Sequence, residues 1–343
     1  MRASAAVLTT AVTAILLAAA CGKHEPTEAE RTIHFTGATM GTTYQVRAVF
    51  GEVVDEALVR RAVEAELAAV SARASTWDPL SELSRFNAHA SSDPFPVSPE
   101  LAALVEESLA AARESGGAFD PTVLPLVRLL GFAGDGTQPS LDPAALTAAR
   151  EHVGYEKLRV EGHSLVKLDP QLEVDLSGIA PGDAVDRLGD LLERLGATYS
   201  LVDIGGEVRA FGELPHLVEF VVGIESPSAD GALLGTIGLA RGAIATSGDY
   251  RRFHEVDGRR VHHVVDPRTG VNPTHDLASV TVMAPSCVRA DALATALLVL
   301  GADDGLAFVG HTQRVDALFV RRGEDGALSI QTSDGFPDLR APK

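Results

Sequence analysis

The chain has 343 residues, 45% of them apolar, enough to bury a full core as one large domain or two modest ones, which excludes a disordered or collagen-like protein. Its 29 Lys and Arg against 47 Asp and Glu leave a net charge of −18. A nucleic-acid backbone is therefore disfavoured as a partner, and any bound phosphate must be met locally, by a metal or by backbone N–H groups.

The N-terminus reads as an export signal. Met1-Arg2 supply a positive end, and Ala5 to Ala20 form an almost continuous apolar run, short of the ~20 residues a membrane helix needs. The run closes on Ala18-Ala19-Ala20-Cys21, similar to a bacterial lipobox in which the cysteine is lipidated; an ordinary Ala-x-Ala cleavage site is the competing reading. Residues 1–20 are expected to be a lipoprotein-type signal, 21–31 a polar tether, and 32–338 the folded domain. The only other cysteine is Cys287, so with Cys21 acylated no internal disulfide is expected.

Thr32 to Phe50 alternates apolar and polar residues around Met40-Gly41, which predicts a first strand pair with a glycine turn. A helix is expected over Leu58 to Ala72, then a structured loop with a short helical turn from Ser75 to Asn87, carrying Trp77, the only tryptophan. Ser98 caps an amphipathic helix that ends at Ser115 and Gly116-Gly117, directly before Ala118-Phe119-Asp120. Further helices are expected at Leu124 to Gly131 and Asp142 to Val153. Two short strands over Val160 to Val174 end at Asp175.

Asp175-Leu-Ser-Gly178-Ile-Ala-Pro181-Gly-Asp183 leads into a helix over Ala184 to Leu195, so strand, glycine turn and helix stand in the order that presents N–H groups to an anion. Strands follow at Tyr199 to Ile204, Val208 to Phe211, Val218 to Glu225 and Leu233 to Leu239. Ala243 to Tyr250 and Val261 to Gly270 flank a hairpin with its tip at Val256-Asp257-Gly258-Arg259. A strand at Leu277 to Ala284 feeds a helix with Ser286 as its cap and Gly301 as its stop, and Leu306 to Val320 holds a closing helix and strand.

That late helix carries the first chemical signal. Asp291 and Thr295 stand four residues apart and so share one helix face. A carboxylate and a hydroxyl placed this way offer hard oxygens of the kind Mg2+ takes in small number from protein. The competing reading is an acid that complements the helix dipole and a threonine that bonds back to a carbonyl.

Taken together, Met40-Gly-Thr, Ser75-Thr-Trp77, Ser81-Glu-Leu-Ser-Arg-Phe-Asn87, Gly117-Ala-Phe-Asp120, Asp175-Leu-Ser-Gly-Ile-Ala180, Gly205-Gly-Glu207, Ala245-Thr-Ser-Gly-Asp249, His263-Val-Val-Asp-Pro-Arg-Thr-Gly270 and Ala290-Asp-Ala-Leu-Ala-Thr295 resemble the ApbE-like flavin transferases. The resemblance runs from about Phe35 to Val320. It implies an α+β fold, mostly antiparallel sheets with packed helices, in two lobes around an FAD cleft. It also implies a bacterial enzyme, lipid-anchored through Cys21 and facing the periplasm, that moves FMN from FAD to a Ser or Thr hydroxyl and releases AMP. The implied acceptor is a flavoprotein subunit of a membrane redox complex. FAD pyrophosphatase activity, or FAD binding without chemistry, are the alternatives.

Carried over by position, Met40, Trp77, Ala118, Phe119, Asp120, Asp175, Pro181 and Val265 fall among the family's FAD-binding positions, and Trp77 stands where tyrosine is more usual. The resemblance assigns Mg2+ to Asp291 and Thr295 with a backbone carbonyl at Gly178, and the role of base to His263. A zinc site from His262, His263 and His275 is disfavoured for want of ligand spacing. One departure stands out. Pro181-Gly182-Asp183 replaces the family's Lys-Gly-Tyr, which removes a positive charge expected near the phosphates and adds a negative one.

Overall fold

The structure, a computed structural model, describes residues 31–133, 139–212, 219–228, 231–250, 252–256 and 259–342. The expected signal, most of the tether with Cys21, and the hairpin tip at Asp257-Gly258 lie outside them. Among the described residues no helix is long and apolar enough to cross a membrane.

An antiparallel sheet of eight strands forms the body, in the order β1 (Arg31–Thr39), β2 (Thr42–Phe50), β6 (Ala197–Ile204), β7 (Glu207–Gly212), β10 (Gly242–Gly248), β13 (Leu277–Ala284), β14 (Asp316–Arg322) and β15 (Leu328–Thr332). Side chains alternate between its faces, as a strand repeat of two requires. On β6, Val202 joins a core with the helices, whereas Leu201 joins the opposite face, where β8 (Phe220–Glu225) pairs with β9 (Leu233–Leu239) and closes over it. Both faces are covered, so consecutive residues from Leu277 to Val282 on β13 are all buried, whichever face they point to.

The helical layer consists of α1 (Glu56–Ala74), α2 (Glu82–Ala88), α3 (Pro99–Glu114), α6 (Ala180–Arg194), α7 (Cys287–Leu300) and α8 (Ala302–His311). Of these, α7 is apolar on nearly every side and is correspondingly enclosed, with Ala292, Ala296 and Leu297 all at 0% exposure. A small sheet of β3 (Phe95–Pro96), β5 (Ser164–Lys167) and β4 (Leu158–Glu161) edges this layer. A satellite core of Leu126, Leu130, Phe132, Val153, Val261 and Val265 joins α4 (Leu124–Leu129) and α5 (Pro143–Glu151) to the hairpin of β11 (Phe253–Val256) and β12 (Arg259–His262).

The expected α+β architecture is present, with local differences. The second of the two strands expected before Asp175 stops at Lys167, because Asp169 to Asp175 turns back under Asn87 and has no strand partner. The helix expected from Ala184 starts at Ala180, since proline is tolerated in a first turn where its missing N–H has no helical acceptor. Ser286 precedes α7 but its side chain makes no cap bond. Instead, Asp186 on α6 accepts from the N–H groups of Cys287 and Val288, each at 3.0 Å.

Candidate active site

Between the sheet with α7 and the satellite core lies a cleft of 420 Å³. Its walls bring together Met40, Trp77, Ala118, Phe119, Asp120, Asp175, Gly178, His263, Val265, Asp291 and Thr295 from positions spread over most of the chain. Pro181 is not in the lining; it sits in the first turn of α6. Asp183, read from sequence as an added charge near phosphate, also lies outside the lining and pairs with Arg187 at 2.7 Å.

Met40 and Gly41 form the two-residue turn between β1 and β2, where Thr39 pairs with Thr42. Both residues are left-handed, with φ of 48° and 75°, as such hairpin turns demand. Glycine takes this freely, whereas a side chain there costs roughly 1–2 kcal/mol. The strain sits at a residue that lines the cleft and is 36% exposed.

The next wall follows α3. Gly117, at φ 80°, turns the chain so that Phe119 N–H donates to Ser115 Oγ at 3.1 Å. Asp120 is buried and accepts from Thr122 N and Oγ1 at 2.8 and 2.6 Å and from Tyr155 N at 2.9 Å. Burial raises its pKa, against these hydrogen bonds. Asp175 N–H donates to Pro121 O at 2.7 Å, which binds this wall to the next. The Asp175 carboxylate is buried, its pKa likewise raised by desolvation, and it accepts from Ser177 N at 2.8 Å.

Asn87 holds the approach to Asp175. Its amide donates to Val174 O and its oxygen accepts from Val174 N, both at 2.8 Å. The buried Lys167, its pKa pushed down to about 8 by burial, donates to Asn87 O at 2.9 Å. The motif containing Asn87 thus acts from beneath the cleft.

On α7, Asp291 is buried and its Oδ2 accepts from Gly182 N at 3.0 Å. Desolvation first, and then the nearby Asp186, push its pKa up to about 7 despite that bond. A turn further on, Thr295 Oγ1 lies 3.2 Å from Ser247 Oγ. Gly178 is packed so closely that a Cβ there would stand 3.1 Å from Thr295 Oγ1. Among the described residues there is no cluster of three His, Cys, Asp or Glu side chains able to hold a metal. A cation here would rely on one carboxylate plus hydroxyl, carbonyl and water oxygens, a set that suits Mg2+ and does not suit zinc. A buried carboxylate whose charge lacks a cationic partner at bonding distance fits that role, and so does glycine where the backbone must come close.

His263 faces the same cleft. Its Nδ1 lies 3.2 Å from Arg252 O, which selects the tautomer with hydrogen on Nδ1 and leaves Nε2 as acceptor. Burial lowers its pKa to about 4, so the ring is neutral at physiological pH. Asp266 bonds Arg268 through both oxygens at 2.9 Å rather than bonding His263.

The ApbE family pattern matches residues 40–319. The chain belongs to the ApbE family. The FAD:protein FMN transferase of Vibrio cholerae is 39% identical over 334 residues, 96% of this chain and 98% of that protein. That of Haemophilus influenzae is 36% identical over 344 residues, 97% of each. Among solved ApbE structures, the flavin transferase of Vibrio cholerae superposes with a TM-score of 0.80 at 38% identity, covering 90% of this chain and 98% of that one. The apo flavinyl transferase of Pseudomonas stutzeri gives 0.82 at 35%, covering 92% and 98%.

Other residues reach this ApbE cleft without having been assigned to it from sequence. Ser247 and Thr246 lie within the Ala245–Asp249 motif, so their segment was visible but their role was not. Phe132 and Arg252 carry no motif signal and arrive only because the satellite core folds against the cleft.

Proposed function

We propose that the protein transfers the FMN half of FAD, as a phosphoester, to a serine or threonine hydroxyl of an extracytoplasmic protein, releasing AMP and requiring Mg2+. The observation that carries this reading is the meeting of Asp291, Thr295 and Gly178 with His263 in one cleft. The near full-length similarity to proteins named FAD:protein FMN transferase supports it.

Asp291 and Thr295, with the Gly178 carbonyl, would hold the cation, which when bound offsets diphosphate charge that the acidic cleft cannot. Ala118, Phe119 and Val265 offer apolar surface for the rings of the dinucleotide. His263 Nε2 accepts the proton of the acceptor hydroxyl as its oxygen bonds to the FMN phosphorus. The phosphoanhydride bond breaks and AMP leaves. Enclosure by the cleft walls limits competition from water, whose attack would give FMN and AMP instead.

The apolar run Ala5 to Ala20 followed by Cys21 supports export, lipid attachment and a periplasmic site of action. An acceptor in a membrane redox complex would lie within reach of such an anchor. Incubation of the purified protein with FAD, Mg2+ and a candidate acceptor tests the reaction. Flavin fluorescence that stays on the acceptor in a denaturing gel is the expected result. Free FMN and AMP without labelling would indicate hydrolysis, and intact bound FAD would indicate a binding protein.

A further inference from the structure

Arg252 is the only lysine or arginine among the described residues that line the cleft, whose lining also includes Asp120, Asp175, Glu207 and Asp291. A flavin dinucleotide brings a diphosphate into this acidic enclosure, and like charges in a partly desolvated space repel strongly. Position 181, in the first turn of α6, is a proline and does not line the cleft. A cation supplied by the protein must come from elsewhere.

Arg252 is placed for this. It follows β10 and opens the β11 hairpin, and its side chain is exposed on the cleft wall rather than buried behind it. Its Nη2 donates to Phe132 O at 3.3 Å, which commits one of five donors and holds the guanidinium in place. Among the described residues no carboxylate lies within ion-pair distance of it, and Asp249, close by in sequence, is held by Arg322 at 2.8 and 3.1 Å. The carbonyl of Arg252 accepts from His263 N at 3.2 Å and orients the ring through Nδ1. Phe132 also packs edge-on to His263, with ring centroids 6.2 Å apart. Base and guanidinium thus share one support.

From the position of a lone guanidinium beside His263 in an otherwise acidic cleft, we infer that Arg252 binds a phosphate oxygen of the flavin dinucleotide. The inference rests on the proposed use of FAD. Guanidinium suits the task because its planar fork can take two oxygens of one phosphate while remaining charged at every relevant pH. Its backbone sets the base and its side chain sets the phosphorus that the base serves.

The test is equilibrium binding of FAD and of riboflavin, which lacks phosphate, to the full chain with EDTA present, read by flavin fluorescence. FAD binding by the unsubstituted protein establishes the cleft reading; failure to bind FAD overturns that reading and this one with it. In Arg252→Gln the FAD Kd is expected to rise roughly ten- to a hundredfold, the worth of a charge-assisted hydrogen bond, while riboflavin affinity stays as it was. Unchanged FAD affinity overturns the inference. So does equal loss for both ligands, which would mean that Arg252 acts through the shape of the Phe132 contact. If Arg252→Gln does not fold, Arg252→Lys carries the test: charge is kept and the fork lost, so FAD weakens by a smaller factor with riboflavin unmoved, and wild-type FAD affinity overturns it.

Discussion

The backbone N–H of Gly182 donates to Asp291 Oδ2 at 3.0 Å, across a sequence separation of 109 residues. The bond ties the first turn of α6 to the N-terminal half of α7 and aims the carboxylate with its other oxygen unspent. Only glycine allows the two helices this approach, since a Cβ at 182 would stand 2.5 Å from Cys287 O and 2.9 Å from Asp291 Cβ.

Gly182→Ala is therefore expected to push α6 from α7. Overpacking of this kind costs about 1–3 kcal/mol, read as a lower midpoint in urea denaturation. Metal-dependent turnover should fall by more than the stability loss explains, because the displaced N–H is what holds the proposed ligand Asp291. Equal Mg2+ dependence in variant and parent would disprove the link.

The raised pKa of Asp291 has a definite pH signature. A carboxyl whose folded pKa is near 7 and whose unfolded pKa is 3.8 contributes fully below the unfolded value, and that contribution is lost as pH rises through the folded one. With EDTA present, melting temperature should decline between about pH 4 and pH 7 more steeply in the parent than in Asp291→Asn. Mg2+ should restore stability chiefly above pH 7, where the carboxylate is ionised. Parallel melting profiles for the two proteins would remove Asp291 from this role.

His263 has its pKa lowered to about 4, so its protonation should not shape the rate between pH 5 and pH 8. His263→Ala is expected to slow acceptor labelling by roughly 10²- to 10⁴-fold, the usual worth of a positioned base, with FAD affinity kept. Acceptor labelling at the parent rate would show that the proton goes elsewhere.

Asp186 caps α7 from outside that helix and also pairs with Arg209. Asp186→Ala leaves two N–H groups at the start of α7 without their acceptor, and loss of a cap costs about 0.5–2 kcal/mol. Urea unfolding of Asp186→Ala against the parent measures it. Ser286→Ala, at the position that looks like the cap in sequence, should change stability little, because its side chain makes no cap bond.

What the sequence by itself determined were the features written in local periodicity and in motif chemistry. Strand alternation, the cap of α3 at Ser98, the β11–β12 pairing and the four-residue spacing of Asp291 and Thr295 all depend on neighbours in the chain, and each is found where its pattern places it. Only the tertiary structure decided what lies between distant segments. It set the cap of α7 by Asp186, the start of α6 at Ala180, the exclusion of Pro181 from the cleft, and the arrival of Arg252 beside His263. Those outcomes arise from helices and sheets packing to fill one core, and packing selects among partners that the order of residues along the chain leaves equivalent.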